Sequence, residues 1–381
     1  MLSTAPSPTD EILAPAGPGT VARHLEAIRA RGRAAAHHIA GTHGFRRIYT
    51  AGAPLAGLGS LRSDIDIFVV LDEEEQRETE QVEYEGSRVD IEYVRLPALR
   101  ELVEACRDHG RTGAPISAVA PPGRARADLV TRFLLSEIVV DDGRLADLHR
   151  QLTEHQEGYR ALLVARHALD AQNRCEDVVG ALLNGDVESA GYQSREMVYR
   201  AAEALLCAAG DPYVNTKWLW QKWRRTLGLS LGAGVWDAVR DLGGTDTRDT
   251  VLRNMWLTQD LLVMAATGYH HTAILAARAG LPLRDPRYAL LTDSGRYHLT
   301  KDVGEGIELS REGALLWAVA HGRSKEDALT EALRCYGVNG PAVAREEVSA
   351  YYDHIVAAGL LLGAGDDAHE DVRSAPDPSR V

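Results

Sequence analysis

The spacing of hydrophobic and polar positions divides this chain into three parts. The first and last parts contain both helix-like and strand-like spacing, and the middle part contains helix-like spacing. Apolar residues recur at helical spacing over 21–40, and a short apolar run bounded by turn residues covers 65–71. Residues 151–279 carry helical stripes with few strand signals, and the clearest stripes lie at 159–171 and 193–209. These periods predict an α+β protein in which a helical region separates two regions that contain strands.

Turn and helix signals place further elements on both sides of the helical region. On its N-terminal side we expect a strand at 46–50, a helix at 97–108, a loop at 114–123 and a closing strand at 133–140. On its C-terminal side we expect strands at 288–292, 296–300 and 306–309, followed by helices at 311–320, 324–335 and 341–358. Ser324 is a suitable N-cap for the second of these helices, and Pro341 is a suitable start for the third.

The changes of pattern predict three domains between two unstructured ends. The N-terminal end is rich in Pro, Ala, Ser and Thr, and the C-terminal end is polar and rich in Asp and Pro. The pair Asp285-Pro286 interrupts the helical region. The predicted segments are a flexible start at 1–20, a mixed sheet with flanking helices at 21–150, a helical domain at 151–284, a small winged-helix-like domain of three strands and three helices at 285–362, and a disordered tail at 363–381.

The composition disfavours several classes of partner. The chain has 381 residues and a formal net charge of −13, which argues against a nucleic-acid backbone as its main partner. Its four Cys are scattered without paired spacing, so neither a disulfide framework nor a zinc site is indicated. The N-terminus lacks the pattern of a signal peptide, and no apolar run has the length of a bilayer span. We expect a cytoplasmic protein without a membrane partner.

The turn at Gly52 is followed by two Asp residues and an apolar strand. Successive side chains of a strand face opposite sides, so Asp64 and Asp66 are expected to point the same way. Two carboxylates so placed repel each other unless a cation lies between them, and oxygen ligands suit Mg²⁺ carried with a nucleotide phosphate. Asp90 supplies a third carboxylate on the next predicted strand. The pattern indicates metal-assisted nucleotidyl transfer.

This arrangement resembles that of the DNA polymerase beta-like nucleotidyltransferase superfamily, in its minimal, antibiotic-modifying-like branch. The family pattern is a Gly-Ser turn, then Asp-x-Asp on one strand and a third Asp on a neighbouring strand. Gly52, Asp64, Asp66 and Asp90 stand at the matching positions. The resemblance implies a nucleotidyltransferase whose catalytic and metal-binding residues are Asp64, Asp66 and Asp90, with Mg²⁺ as cofactor and ATP or another nucleoside triphosphate as co-substrate.

One position departs from the family pattern, because Ala53 stands where the family usually has Ser. The departure removes a side-chain contact to the nucleotide phosphates, although backbone N–H groups of the turn can still hold phosphate. We expect Gly52, Ala53 and Ser63 to border the nucleotide. Ala53 also leaves open a catalytically degenerate fold that binds its ligands without transferring a group between them.

A second candidate contact to the nucleotide comes from a basic, Trp-dense segment at 213–225. On a helix, Trp220 and Trp223 share one face, and Lys217 lies on another. One interpretation has the Trp residues in the core and the cations at the surface. The other interpretation places Lys217 against a nucleotide phosphate, with a Trp stacked on a base or on a substrate ring.

The C-terminal order of three strands and three helices, together with the ending from Tyr352 to Leu361, is similar to PqqD-like domains. Such domains bind leader peptides of ribosomally made, post-translationally modified peptides. The resemblance implies that a leader peptide adds as a further strand beside the sheet. A winged-helix module without peptide function is the alternative. DNA binding is disfavoured, because the basic residues of 323–334 are interleaved with acidic ones.

These observations favour one function over three alternatives. The leading hypothesis is transfer of a nucleotidyl group, most simply AMP from ATP, to an acceptor, which is a precursor peptide if the C-terminal domain holds its leader. The alternatives are a small-molecule nucleotidyltransferase of the aminoglycoside- or lincosamide-modifying type, a degenerate fold that acts as a peptide-binding module, and a toxin–antitoxin enzyme that modifies a partner protein. The expected partners are therefore a nucleotide and, in the leading hypothesis, a leader peptide in natural-product biosynthesis.

Overall fold

The computed structural model describes nine ranges of the chain, which form two compact units. The described ranges are 17–72, 77–112, 123–228, 233–240, 247–268, 280–293, 296–302, 305–339 and 344–363. The first unit contains the described residues up to Arg107 and those from Arg124 to Gln156, and the second contains all the other described residues. The predicted disordered tail and most of the predicted flexible start lie outside the described residues.

The first unit is built around a five-stranded mixed sheet. Its strands are β1 (Ile48–Ala51), β2 (Ile65–Leu71), β3 (Glu80–Tyr84), β4 (Ser87–Arg95) and β5 (Glu137–Val140), in the order β3-β4-β2-β1-β5. Strands β2 and β4 are parallel, and the other neighbouring strands are antiparallel. The helices of this region are α1 (Pro18–His43), α2 (Leu96–Thr112), α3 (Arg124–Leu134) and α4 (Arg144–Glu154). The predicted mixed sheet with flanking helices is confirmed.

The two faces of this sheet differ because strand residues alternate between them. The buried side chains of β2 and β4 on the apolar face are Ile65, Ile67, Val69, Leu71, Val89 and Ile91, and α1 packs on them through Ile28, Ala35, Ala36 and Ile39. Full burial of one such aliphatic side chain stabilises the fold by about 1.5–3 kcal/mol. The other face carries polar side chains near the start of β2 and an aromatic cluster of Tyr49, Phe68 and Phe133 beyond them.

Two elements of the first unit differ from the sequence prediction. Strand β3 was not predicted, because it is short and almost entirely exposed, and Val82 and Tyr84 are its only apolar residues. It forms by pairing with the edge of β4 through the turn at Glu85 and Gly86. The predicted strand at 133–140 is wrong in its first part, since Phe133 belongs to α3 and the strand begins at Glu137. Phe133 is buried together with Ala127 and Val130, which is helical spacing. The predicted loop at 114–123 lies almost entirely outside the described residues.

The second unit consists of helices and two small sheets. Its helices are α5 (Gln156–Leu183), α6 (Val187–Ala208), α7 (Leu219–Thr226), α8 (Ala233–Arg240), α9 (Arg248–Thr267), α10 (Arg311–Ala320), α11 (Lys325–Asn339) and α12 (Arg345–Ala357). An antiparallel sheet contains β7 (Ala289–Asp293), β8 (Arg296–Asp302) and β9 (Glu305–Leu309), and β6 (Leu283–Arg284) pairs with β10 (Leu361–Leu362). The predicted helical region and the predicted order of three strands and three helices are confirmed.

Local signals in the C-terminal region have mixed outcomes. Ser324 caps α11 as predicted: its Oγ accepts the N–H of Asp327 at 3.2 Å and donates to the Asp327 carboxylate at 2.8 Å. Helix α12 begins at Arg345, later than predicted, and Pro341 lies outside the described residues. All four Cys are buried free thiols, as the scattered spacing indicated.

Buried polar contacts join α9 to the segment around the predicted domain boundary at 284/285. The side-chain amide of Gln259 donates to the carbonyls of Asp285 and Tyr288, both at 2.7 Å. The buried Arg284 guanidinium contacts the Asp260 carboxylate at 2.5 Å. Removing one member of such a buried pair costs about 3–5 kcal/mol, because the other charge is left buried without a partner. The division into separate helical and C-terminal domains remains a prediction.

Among the helices described, none combines the length and apolarity that a bilayer crossing requires.

Candidate functional site

Four carboxylates lie near the N-terminal ends of the parallel strands β2 and β4. Asp64 immediately precedes β2, and Asp66 is the direct partner of Asp90 in the register of the two strands. Glu92 follows Asp90 by two residues and therefore shares its face. The alternate residues between them are buried on the apolar face. The structure thus places the three predicted Asp residues on one side of the sheet, with Glu92 beside them.

The turn after β1 fits closely around Asp66. Ala51, the last residue of β1, pairs with Asp66 across the antiparallel ladder, and Gly52 follows with a φ of 100°. A Cβ atom at Gly52 would lie well inside the 3.0 Å that Cβ atoms keep from other atoms, against Oδ2 of Asp66. Only glycine both adopts this φ without strain and leaves the Asp66 carboxylate in place.

Ala53 and Ser63, the other two residues predicted to contact the nucleotide, are engaged in hydrogen bonds within the turn. Ala53 is buried, and its carbonyl accepts the N–H of Leu58 at 2.8 Å. Ser63 is half-buried, and its Oγ accepts the N–H of Ser60 at 2.9 Å. Both residues therefore shape the turn between β1 and β2. Their predicted contacts with a nucleotide remain predictions.

Two arginines form ion pairs with the carboxylates, and the sequence prediction included neither. Nη2 of Arg88 lies 2.5 Å from Oδ2 of Asp64 and 3.4 Å from Oδ2 of Asp90. Nη1 of Arg132 lies 2.9 Å from Oδ2 of Asp66. Arg88 had a sequence signal, since it precedes Asp90 by two residues on the same strand. Arg132 had none, because it reaches Asp66 from the helix α3 across 66 residues of sequence.

Burial changes the acidity of two of these carboxyls. It raises the pKa of Asp66 from 3.8 to about 6, against the opposing effect of Arg132 and with a further rise from Glu92, Asp90 and Asp64. It also raises the pKa of Glu92, again against Arg132. A carboxyl with a raised pKa holds protons more readily near neutral pH, which is the property of a group that accepts a proton during a reaction.

The chemistry of the donors fits Mg²⁺, although their present arrangement is one of ion pairs. In the described ranges, no three His, Cys, Asp or Glu side chains stand together in positions that hold a metal ion. The Arg88 guanidinium occupies the space between Asp64 and Asp90, and it is exposed, so it can turn away into solvent. The carboxylate oxygens of Asp64, Asp66 and Asp90 are the ligand type that Mg²⁺ prefers, and Gly52 leaves Asp66 unobstructed.

A cavity of about 540 Å³ opens beside these carboxylates, and Glu92 and Arg132 border it. Phe68, the partner of Glu92 in the strand register, is part of its wall. The volume lies within the range of about 300–1,000 Å³ that is usual for small-molecule sites. Glu92 belongs to both the carboxylate cluster and the cavity, and Arg132 joins them through its contact with Asp66, so the two are neighbours on one unit of the protein.

Lys217 belongs to the second unit. It lies exposed in the short 3₁₀ turn Thr216–Trp218, with Nζ 4.9 Å from the centre of the Trp218 ring. Trp223 is fully buried, and Lys222 is buried beside it. The interpretation that the Trp residues belong to the core is therefore confirmed for Trp218 and Trp223, but its placement of the cations at the surface is wrong for Lys222, which pairs with the buried Glu203. The predicted contact of Lys217 with a nucleotide phosphate remains a prediction.

Comparison with known proteins adds little to this geometry. No family model matches the chain, and no curated protein matches its sequence. Among solved structures, a nucleotidyltransferase-like protein from Exiguobacterium sibiricum 255-15 is similar over 61% of this chain and 76% of its own, with 15% identity and a TM-score of 0.35. A likeness this distant does not show the family. The fold and the site define the protein as an α+β protein with a carboxylate cluster on the polar face of a mixed sheet.

Proposed function

We propose that this protein is a Mg²⁺-dependent nucleotidyltransferase that transfers a nucleotidyl group, most simply AMP from ATP, to a hydroxyl acceptor. One observation carries the proposal: Asp64, Asp66 and Asp90 share one side of two parallel strands, directly beside the turn at Gly52. Carboxylates on one side of a sheet supply oxygen ligands for a divalent cation, and backbone N–H groups of a glycine turn are groups that hold phosphate.

In this proposal the three Asp carboxylates hold Mg²⁺, which neutralises phosphate charge when it is bound. The acceptor oxygen forms a bond to the α-phosphorus, the bond from that phosphorus to the bridging oxygen of the β-phosphate breaks, and pyrophosphate leaves. The hydroxyl proton passes to a carboxylate of the site. Glu92 suits this role because it borders the cavity and its pKa is raised by burial. Asp90, two residues earlier on β4, is the other candidate.

The C-terminal region supports a precursor peptide as the acceptor. Strands β7, β8 and β9 form an antiparallel sheet, and α10, α11 and α12 follow it, which is the element order of the PqqD-like resemblance. A leader peptide that pairs with an edge of this sheet would raise the concentration of its acceptor group near the enzyme. Natural-product biosynthesis is the setting in which such peptides are modified.

The test is a transfer assay with an inactive variant and a matched control. The protein is incubated with Mg²⁺, radiolabelled ATP and either precursor peptides or small hydroxylated acceptors, and adducts are detected by mass. Asp66→Asn is expected to lose transfer by at least a hundredfold while it stays folded, since it removes one charged ligand. Asp147→Asn, an exposed Asp on α4, is the control and is expected to keep full activity. Equal transfer by wild type and Asp66→Asn overturns the mechanism.

A second candidate, a binding module without transfer, is favoured by two observations. Ala53 replaces the Ser of the family pattern, and the three Asp carboxylates already form ion pairs with Arg88 or Arg132. This candidate predicts that the protein binds ATP without forming an adduct on any acceptor. Calorimetric binding of ATP measured beside the transfer assay separates the two functions.

A further inference from the structure

The cavity beside Glu92 differs from the rest of the molecule in its charge. Arg77, Arg95 and Arg132 line it, against Glu92 and Asp128. Its wall therefore carries one net positive charge in a protein whose formal net charge is −13. A local excess of positive charge at a concave surface attracts anionic ligands and raises their rate of association.

The arginines of the cavity fall into two groups. Arg132 is engaged, because it contacts Asp66 at 2.9 Å and Asp128 at 2.7 Å. Arg77 and Arg95 form no ion pair with a carboxylate in the part of the chain that the structure describes. Both are exposed, and Arg77 hydrogen-bonds the side chain of Tyr93. Among the described residues no carboxylate compensates their charges, which can therefore attract an anionic ligand, whereas Arg132 is committed to the carboxylate cluster.

Aromatic rings hold Arg77 in position. The carbon at the centre of its guanidinium lies 4.9 Å from the centre of the Phe45 ring and 5.6 Å from that of the Tyr93 ring. Stacking of this kind orients the planar fork of a guanidinium, and a fixed fork matches the two oxygens of a carboxylate. The loss of side-chain entropy on binding is smaller for an arginine that is already placed.

The positive and acidic groups of the cavity project from opposite faces of β4, because Glu92 and Arg95 are an odd number of residues apart on this strand. Pairing of β3 with β4 ends at Glu80 and Ile91, and the cavity lies at the edge of β4 beyond that point, where side chains of both faces line it. The other lining side chains are mostly apolar and include Phe68, Leu71, Val94, Ala98 and Leu129. A ligand that fills this space has an anionic group at one end, an apolar body, and at the other end a group that faces Glu92.

We propose that this cavity binds the acceptor, that Arg77 and Arg95 recognise a carboxylate on it, and that its hydroxyl faces Glu92. The inference rests on the proposed nucleotidyl transfer. It adds the chemical class of the acceptor, a hydroxy acid with a flat or aliphatic apolar body. The carboxylate belongs either to a free small molecule or to the C-terminus of a peptide, and the recognising groups are the same in both cases.

The test compares acids with their amides. Binding to the full-length protein is measured by titration calorimetry for para-coumarate and its amide, and for the peptide Gly-Gly-Tyr with a free and with an amidated C-terminus. Arg77→Gln and Arg95→Gln remove one charge each, and Arg150→Gln, an exposed arginine on α4, is the control. Circular dichroism checks that each variant is folded.

We expect at least one of the two acids to bind, with its amide at least tenfold weaker, because hydrogen bonds to charged groups contribute about 1.5–3 kcal/mol. Arg77→Gln should weaken the acid by about tenfold or more and leave the amide unchanged, while Arg150→Gln changes neither. Binding of para-coumarate alone identifies a free acid as the source, and binding of the free peptide alone identifies a peptide C-terminus. Equal binding of acid and amide, or no binding of either acid, overturns the inference.

The transfer assay distinguishes this inference from the proposed function. Arg77-dependent binding of an acid without any adduct refutes nucleotidyl transfer and leaves the carboxylate site standing. Transfer that proceeds equally to acids and amides, and that Arg77→Gln does not reduce, supports the function and refutes the carboxylate site.

Discussion

Replacing Gly52 by Ala tests whether the turn after β1 is built around the Asp66 carboxylate. The new Cβ would lie 3.1 Å from Cγ of Asp66 and closer still to Oδ2, so the Asp66 side chain has to rotate. Rotation breaks the 2.9 Å contact with Arg132. A hydrogen bond between charged groups contributes about 1.5–3 kcal/mol, and we expect most of that amount to be lost.

The substitution at Gly52 also strains the backbone, and a control variant measures that strain separately. An alanine at a φ of 100° is strained by about 1–3 kcal/mol. Gly143 has a φ of 97°, and a Cβ there has nothing within 4 Å, so Gly143→Ala carries the backbone cost without the clash. We therefore expect Gly52→Ala to lower the free energy of unfolding by about 2 kcal/mol more than Gly143→Ala does.

Urea denaturation of a double-mutant cycle measures the clash directly. The proteins are wild type, Gly52→Ala, Asp66→Ala and the double variant, followed by circular dichroism. Once Asp66 is an alanine, Gly52→Ala should cost only as much as Gly143→Ala, which gives a coupling free energy of about 2 kcal/mol. If Gly52→Ala costs the same in both backgrounds, the turn does not constrain the carboxylate and the argument from Gly52 fails.

Two further predictions concern charges that the fold has buried. In metal-free buffer, Asp66→Asn should stabilise the protein above pH 6 by up to about 3 kcal/mol, since each pKa unit is worth about 1.4 kcal/mol and the pKa rises from 3.8 to about 6. The raised pKa means that the folded wild type binds more protons between these values and loses stability as pH rises through them. The stabilisation by Asp66→Asn should therefore vanish near pH 4. Urea denaturation of both proteins, above pH 6 and near pH 4, measures it, and an equal free energy of unfolding of the two proteins above pH 6 would contradict the prediction. Lys222→Met should destabilise the protein by about 3–5 kcal/mol, because it leaves Glu203 fully buried without its cation. Urea denaturation should show a smaller loss of the free energy of unfolding for the double variant Lys222→Met/Glu203→Leu than for Lys222→Met alone. An equal loss in the two variants would refute the pairing of Lys222 with Glu203.

Short-range sequence patterns predicted most helices and strands of this protein and the three Asp residues of its candidate site, but not the arginines that pair with them. The strands of the C-terminal sheet and the helix Arg311–Ala320 follow from apolar periodicity and turn residues, which act within a few residues of sequence. The common orientation of Asp64 and Asp66 follows from strand alternation alone. Strand β3 was not predicted because it is short and exposed and has only two apolar residues, and pairing with β4 is what makes it a strand.

The contacts that decide the chemistry depend on the tertiary structure. Parallel pairing of β2 with β4 sets Asp90 beside Asp66, and the register of two strands is chosen by the packing of their apolar faces, not by either strand alone. Helix α3 brings Arg132 to Asp66 across 66 residues, and burial there raises the pKa of Asp66. The sequence by itself determined which carboxylates could share a face. Only the folded chain decided how deeply they are buried, which cations oppose them and that a positively charged cavity lies next to Glu92.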